Sequence, residues 1–170
     1  MKKILLTAVL LLTAALSLTS CGGDDEPKVK TTATTMYFMT FSPDLLEAAS
    51  VIIYYKAENG RTTFDPINST QWTKTITSDK FPAEFGVMCD FGTKSESELN
   101  KEKYDLTCEL KFSCSTNKGA TYANNYTVIN EKEVAKKKVE STLSKLKGKS
   151  FGFKITENGV PTEANNLKYD

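Results

Sequence analysis

The feature that most constrains the fold is the strict alternation of apolar and polar residues in YDLTCELKFSC (104–114). Five apolar residues share one parity: Leu106, Cys108, Leu110, Phe112 and Cys114. Successive side chains of a β-strand point to opposite faces, so this pattern predicts a strand with one buried and one solvated face. A helix would need apolar residues every three or four positions instead. The chain is therefore expected to build a sheet that covers a core on one side.

Seven further segments show alternation or a run of β-branched and aromatic residues, both typical of strands. They are MYFMTF (36–41), SVIIYYKA (50–57), RTTF (61–64), QWTKTIT (71–77), AEFGVMCDF (83–91), TYANNYTVI (121–129) and SFGFKIT (150–156). Asn59 followed by Gly60 predicts a hairpin turn, and Asp65 followed by Pro66 predicts the end of the returning strand. Segments 83–91 and 104–114 are expected to pair as a hairpin across the polar loop between them.

Two helices are expected. Ser42 followed by Pro43 favours a capped helix of one or two turns. A longer helix is predicted over 131–147, with Asn130 as its N-cap and Gly148 beyond its C-terminus. Its apolar stripe comprises Ala135, Val139, Thr142, Leu143 and Leu146. Its lysines are expected to form a solvated face, with a surface for acidic glycans or lipid headgroups as the alternative; they are Lys132, Lys136, Lys137, Lys138, Lys145, Lys147 and Lys149.

Short strands with turn signals between them favour a mainly β fold. We predict an antiparallel, immunoglobulin-like β-sandwich of about seven strands with one late amphipathic helix, in a single domain over 36–170. An α+β two-layer arrangement is the alternative.

The N-terminus has a different character. Lys2 and Lys3 precede an apolar run that ends near Leu18, which is the layout of a secretory signal and too short for a typical bilayer span. The following LTSC resembles the bacterial lipobox, so residues 1–20 are predicted to be a lipoprotein signal peptide and Cys21 the lipidated residue. GGDDE (22–26) resembles the acidic export signal of Bacteroidota surface lipoproteins, with a solvated linker as the alternative. Residues 21–35 hold one large aliphatic side chain, Val29, and are predicted to form a flexible tether.

The segments PDLLEAASVIIYYKAENGRTT, QWTKTIT, FPAEFGV and KYDLTCELKFS are similar to those of small Bacteroidota surface lipoproteins with immunoglobulin-like or transthyretin-like sandwiches. The resemblance covers about half of the domain and includes no catalytic signature. It implies a lipid-anchored outer-membrane protein exposed at the cell surface.

Composition removes several function classes. Without residues 1–20 the chain has 20 basic and 21 acidic residues, a net charge of −1, which gives no indication of a nucleic-acid partner. The sequence has 0 histidines, so histidine-based triads and histidine metal sites are excluded. No cofactor motif is present. With Cys21 lipidated, Cys89, Cys108 and Cys114 are expected as buried thiols, and a Cys89–Cys108 disulfide is the alternative.

Aromatic side chains are the best candidates for a ligand site. Trp72, Tyr122 and Tyr126 are weak candidates by residue type, while packing in the core or at a sheet edge is the simpler expectation for Trp72. Tyr54 and Tyr55 must face opposite ways along their strand. Four acids fall in one loop: Glu96, Glu98, Glu102 and Asp105. Two of them could act as acid and base in hydrolysis, but a solvated loop is the simpler expectation.

The expected function is therefore a non-catalytic binding or adhesion module, with a glycan or protein ligand, held to the membrane through Cys21. A structural envelope or pilus component is the alternative, and a carboxylate-dependent hydrolase is the least favoured hypothesis.

Overall fold

The computed structural model describes residues 29–164 and 167–169, and nine strands in this part of the chain form two antiparallel sheets. The strands are β1 (Ala33–Phe41), β2 (Ala49–Lys56), β3 (Thr62–Ile67), β4 (Gln71–Ser78), β5 (Ala83–Thr93), β6 (Lys103–Thr116), β7 (Thr121–Ala135), β8 (Ser150–Ile155) and β9 (Pro161–Glu163). The helices are α1 (Pro43–Ala48) and α2 (Val139–Leu143), and three 3₁₀ turns lie at Glu96–Glu98, Lys136–Lys138 and Ser144–Leu146. No helix of the described residues is long and apolar enough to cross a bilayer.

The two sheets form a sandwich. One sheet has four strands in the order β4-β1-β6-β7, and the other has five in the order β3-β2-β5-β8-β9. The mainly β sandwich is confirmed, with nine strands in place of about seven. Between the sheets lie the large buried side chains of both inner faces, including Tyr37, Phe85 and Phe153. The Phe112 and Phe153 rings come from opposite sheets and stack at 4.8 Å, so the core is continuous from one sheet to the other.

The predicted hairpin between segments 83–91 and 104–114 is wrong. β5 lies in the five-stranded sheet between β2 and β8, whereas β6 lies in the four-stranded sheet between β1 and β7. The alternation of each strand is as predicted, with Phe85, Val87 and Cys89 buried on β5. Alternation fixes which side chains face the core but not the neighbour that completes the hydrogen-bond ladder. The two strands therefore face each other across the core.

The local signals of the first half are largely confirmed. The Ser42 hydroxyl accepts a hydrogen bond from the Leu45 amide at 3.3 Å and caps α1, as predicted. Gly60 has a φ of 78° in the turn between β2 and β3, a conformation that glycine adopts without strain. The expected stop at Asp65 and Pro66 is wrong because β3 continues to Ile67. An edge strand tolerates proline, since one side of its backbone needs no partner.

The start of β1 differs by three residues from the predicted start of the domain, since the strand begins at Ala33 rather than at residue 36. Thr31, Ala33 and Thr35 are buried although none of them is a large apolar residue. Small and hydroxyl side chains are therefore buried at this end of the sandwich, which their hydrophobicity alone does not indicate.

The late helix is much shorter than predicted. β7 continues to Ala135 because β6 supplies ladder partners as far as Lys103, and Asn130 lies within the strand rather than at a cap. The helical part consists of the Lys136–Lys138 turn, α2 and the Ser144–Leu146 turn. Val139, Leu143 and Leu146 are buried, so the apolar stripe is confirmed over this shorter length.

Candidate functional site

The outer face of the five-stranded sheet carries an unusual set of side chains. Five neighbouring outward positions on three strands are apolar or aromatic, and we call this set the apolar patch: Ile52, Tyr54, Phe64, Pro66 and Met88. They become neighbours through the strand register, in which Phe64 pairs with Tyr54 and Tyr54 pairs with Met88. Outward positions of a half-solvated sheet are normally polar, so packing of the core does not explain why these five residues are apolar.

Exposure of the patch is substantial. Phe64 is 59% exposed and Tyr54 is partly exposed. The two rings lie with their centroids 5.9 Å apart and their planes inclined by 46°. Such tilted rings present an uneven apolar surface rather than a flat platform. Aromatic and methionine side chains in contact with water are typical of surfaces that another molecule covers.

The chain itself covers the neighbouring part of the same face. Gly86 and Gly152 pair directly on β5 and β8, and the side chain of Leu167 occupies the space that their missing side chains leave. A Cβ atom on Gly86 would lie 2.6 Å from Leu167 Cδ1 and 2.7 Å from the Phe151 carbonyl oxygen. This glycine pair therefore forms a groove that fits an aliphatic side chain.

Tyr169 binds beside Leu167 on this face. The Lys56 ammonium lies 5.4 Å from the centroid of the Tyr169 ring, a cation–π distance. Burial raises the pKa of the Tyr169 hydroxyl well above its ordinary value, and electrostatic interactions with Cys89 and Glu84 add to this increase. Leu167 and Tyr169, which we call the tail residues, thus show which chemistry this face accepts: an aliphatic and an aromatic side chain two residues apart.

Trp72 lies elsewhere and has a structural role. Its indole Nε1 donates to Asp65 Oδ2 at 3.0 Å, and the Lys74 ammonium and the Tyr55 hydroxyl also donate to this carboxylate, both at 3.1 Å. Burial of Asp65 would raise its pKa, but these hydrogen bonds outweigh burial and hold the pKa below the ordinary value. The network joins edge strands β3 and β4, so Trp72 packs at a sheet edge and uses its only donor there.

Tyr122 and Tyr126 face inward from β7. Their ring centroids lie 5.8 and 5.6 Å from that of Phe112, and Tyr126 also contacts Phe151. Both rings are partly buried and pack against the core. The structure therefore separates Trp72 from these two tyrosines, at opposite edges of the four-stranded sheet, and brings neither group into the apolar patch.

Among residues 29–164 and 167–169, the cysteines are Cys89, Cys108 and Cys114, and all three are buried free thiols. A hydrogen bond with Cys89 and burial both raise the pKa of the Cys108 thiol, so it stays protonated and is a poor nucleophile. The pKa of Cys114 is raised by burial as well. These properties suit side chains that fill the core.

Of the four candidate acids, Glu96 and Glu98 lie in the 3₁₀ turn before β6, whereas Asp105 lies within β6 and not in the loop as expected. Glu98 accepts hydrogen bonds from the amide and the hydroxyl of Ser95, at 2.9 and 2.6 Å. Asp105 accepts from the Glu133 amide at 2.9 Å and forms an ion pair with Lys132 at 3.5 Å. No group of three histidine, cysteine or acidic side chains that could hold a metal ion occurs among residues 29–164 and 167–169. Cys21 and the predicted signal peptide lie outside the described residues.

Four residues of the apolar patch were not among the candidates that the sequence indicated: Ile52, Phe64, Pro66 and Met88. The predicted Asn59–Gly60 turn indicated the hairpin but not its register. A two-residue loop would place Phe64 opposite the buried Tyr55, whereas the loop in the structure has three residues, Glu58 to Gly60, and places Phe64 opposite the outward-facing Tyr54. No protein-family model matches the chain, and neither the curated proteins nor the solved structures compared with it give a significant match.

Proposed function

We propose that this protein is a non-catalytic binding module on the cell surface, anchored in the outer membrane through a lipid on Cys21. Its family would be the Bacteroidota lipoproteins with immunoglobulin-like sandwiches. The site of binding would be the apolar patch, and the ligand an extended segment of a partner protein that bears aliphatic and aromatic side chains.

The observation that carries this proposal is the way the tail residues bind. Leu167 fills the groove above Gly86 and Gly152, and Tyr169 lies under Lys56, on the face that also presents Tyr54 and Phe64 to solvent. An apolar surface next to an occupied groove of the same kind favours a ligand of the same chemistry. Charged and hydroxyl side chains such as Lys56, Asp90 and Ser50 surround the patch, as in protein interfaces with an apolar centre and a polar rim.

A peptide ligand is favoured over a glycan on geometric grounds. The Tyr54 and Phe64 planes are inclined by 46°, so one sugar ring cannot stack on both rings at once. Aliphatic and aromatic side chains of a peptide can fit into such an uneven surface, and they are the common anchors of protein interfaces.

The proposal is tested by peptide selection with the full-length chain in detergent. A library of displayed peptides is selected for binding, and the enriched peptides are titrated against two double variants. Y54S/F64S should weaken binding at least about tenfold, because buried aromatic anchors contribute 2 kcal/mol or more. M36S/F38S, which removes two apolar side chains from the outer face of the other sheet, is the matched control and should change affinity less than about twofold. Equal losses in both variants, or enrichment of no peptide with apolar anchors, would contradict the proposal.

The anchor is tested separately. Cys21→Ala should remove acylation, detected by mass spectrometry of the mature chain, and should move the protein out of the membrane fraction. A processed variant that stayed with the membrane would show that Cys21 is not the anchor.

A further inference from the structure

Positive charge is concentrated in one short segment of this nearly neutral protein. Residues 136–149, KKKVESTLSKLKGK, contain six lysines and one acid, a net charge of +5. The rest of the chain from Cys21 onward has 14 basic and 20 acidic residues, a net charge of −6. Charges separated in this way produce a local positive potential even though the whole molecule is almost uncharged.

The lysines of this segment are available to a partner. Five of the six are exposed, and Lys136 is partly exposed. Lysines elsewhere in the domain, such as Lys74, Lys101 and Lys154, form ion pairs with acids. Within residues 29–164 and 167–169, no ion pair involves a lysine of the 136–149 segment. We call these side chains the lysine ridge: Lys136, Lys137, Lys138, Lys145, Lys147 and Lys149.

The spacing of the ridge suits a polymeric anion. Three lysines precede α2 and three follow it, while the buried Val139, Leu143 and Leu146 fix the segment to the core. Lys137 and Lys147, the middle members of the two groups, are ten residues apart along α-helical and 3₁₀ turns, which corresponds to about 15 to 20 Å. A single small anion reaches only one group, whereas a chain with repeated negative charges contacts both.

The topology places the ridge far from the point where the chain enters the domain. β1 begins at Ala33, which pairs with Thr116 at the far end of β6. The ridge begins at Lys136, whose amide donates to the Glu102 carbonyl at 2.9 Å, next to the start of β6. β1 alone extends about 30 Å, at 3.4 Å per residue. With the proposed anchor at Cys21, the ridge would therefore lie on the side of the domain that points away from the membrane.

We infer that the lysine ridge binds an acidic polysaccharide, a ligand distinct from the peptide proposed for the apolar patch. The headgroups of the chain's own membrane are disfavoured by the position of the ridge. Nucleic acid is disfavoured by the side chains present, since the segment contains neither arginine for bidentate phosphate contacts nor an aromatic residue for base stacking. Repeated carboxylate or sulfate groups need only spaced point charges, which lysine supplies. Only the orientation toward a membrane rests on the proposed anchor, and binding itself does not.

The experiment measures binding of the full-length chain in detergent to six probes, of which the five charged ones are compared at equal charge concentration. The two polysaccharide probes are polygalacturonate and chondroitin sulfate. Dextran is the uncharged control, and an oligonucleotide, a polyglutamate peptide and vesicles of phosphatidylglycerol represent other polyanions. We expect binding to at least one acidic polysaccharide, stronger than to every other probe, with an affinity that falls steeply as salt is raised.

Two triple variants locate the site. K136Q/K137Q/K138Q and K145Q/K147Q/K149Q should each weaken polysaccharide binding about tenfold, because each removes three contacts to a polyanion. The matched control K80Q/K111Q/K118Q changes the net charge equally, using exposed lysines elsewhere, and should weaken binding less than about threefold. Thermal unfolding checks that each variant is folded.

Several outcomes would overturn the inference. They are an absence of binding to both acidic polysaccharides, tighter binding to the oligonucleotide, polyglutamate or vesicles, and an equal loss in the control variant. The salt dependence of the unmodified chain gives an independent check, since affinity that did not fall with salt would also be incompatible with a lysine site.

Discussion

The outer faces of the two sheets differ although both alternate in the same way. On the four-stranded sheet the outward positions are mostly short hydroxyl side chains, among them Thr34, Thr73, Thr75, Thr77, Ser113, Ser115 and Thr121. Water solvates these hydroxyls, and those of Thr34 and Thr77 bond to each other at 2.9 Å. Met36, which is 52% exposed, and the partly exposed Phe38 are apolar exceptions, both on β1. On the five-stranded sheet the corresponding positions hold the apolar patch and the groove that Leu167 fills. Alternation therefore identifies which side chains face the core. The types of residue at the outward positions then distinguish a solvated face from a binding face.

The strongest test of this difference is the glycine groove. Gly86→Val should lower the free energy of unfolding by about 2 to 3 kcal/mol, because the new side chain overlaps Leu167 and the Phe151 carbonyl. Chemical denaturation measures this loss. Gly92→Ala is the control on the same strand. The nearest atom there is the Ser50 hydroxyl, which can rotate away from the new methyl group by giving up its hydrogen bond to the Gly92 carbonyl, so the substitution should cost less than about 1 kcal/mol. Equal losses would mean that the groove does not hold the tail.

The contact between the tail and the groove can also be tested by changing Leu167. Leu167→Ser should destabilise the fold by about 2 kcal/mol, since it removes a buried aliphatic side chain that is 7% exposed. It should also increase the fluorescence of a dye that binds apolar surfaces. Val160→Ser changes a side chain that is 57% exposed and should leave both measurements unaltered. A Leu167→Ser variant as stable as the unmodified chain would contradict the assigned contact.

The edge network should make stability depend on pH. Hydrogen bonds lower the folded-state pKa of Asp65 below its ordinary value of 3.8, so the charged form stabilises the fold above about pH 4 and the contribution is lost as pH falls through the lowered pKa. Asp65→Asn should cost about 1 to 2 kcal/mol at pH 7 and progressively less below pH 4. Denaturation at several pH values measures the difference. A loss that is constant with pH would contradict the role of the charge.

The smallest effect is expected on the four-stranded face. Thr75→Ala removes an exposed hydroxyl and should change the free energy of unfolding by no more than about 0.5 kcal/mol. Peptide binding should stay unaltered as well. A tenfold change in affinity would contradict the assignment of the binding face to the five-stranded sheet.

Part of the candidate site could be predicted from the sequence. Tyr54 and Tyr55 were expected to face opposite ways, and the structure buries Tyr55 and leaves Tyr54 partly exposed. Trp72 was expected at a sheet edge or in the core, and it lies at an edge. The sequence did not indicate the role of the tail residues. Leu167 and Tyr169 are isolated among polar residues, so no periodic pattern of apolar residues shows what they contact.

The sequence by itself determined the parity of each main strand, the capped start of α1 and the Asn59–Gly60 turn, because these depend on side chains close together in the chain. Tertiary structure decided that β5 and β6 lie in different sheets, that β7 continues to Ala135, and that Gly86 and Gly152 meet beneath Leu167. Each of these rests on contacts between distant segments. Local side-chain chemistry sets which face is buried, whereas the partner that buries it depends on how the whole chain packs.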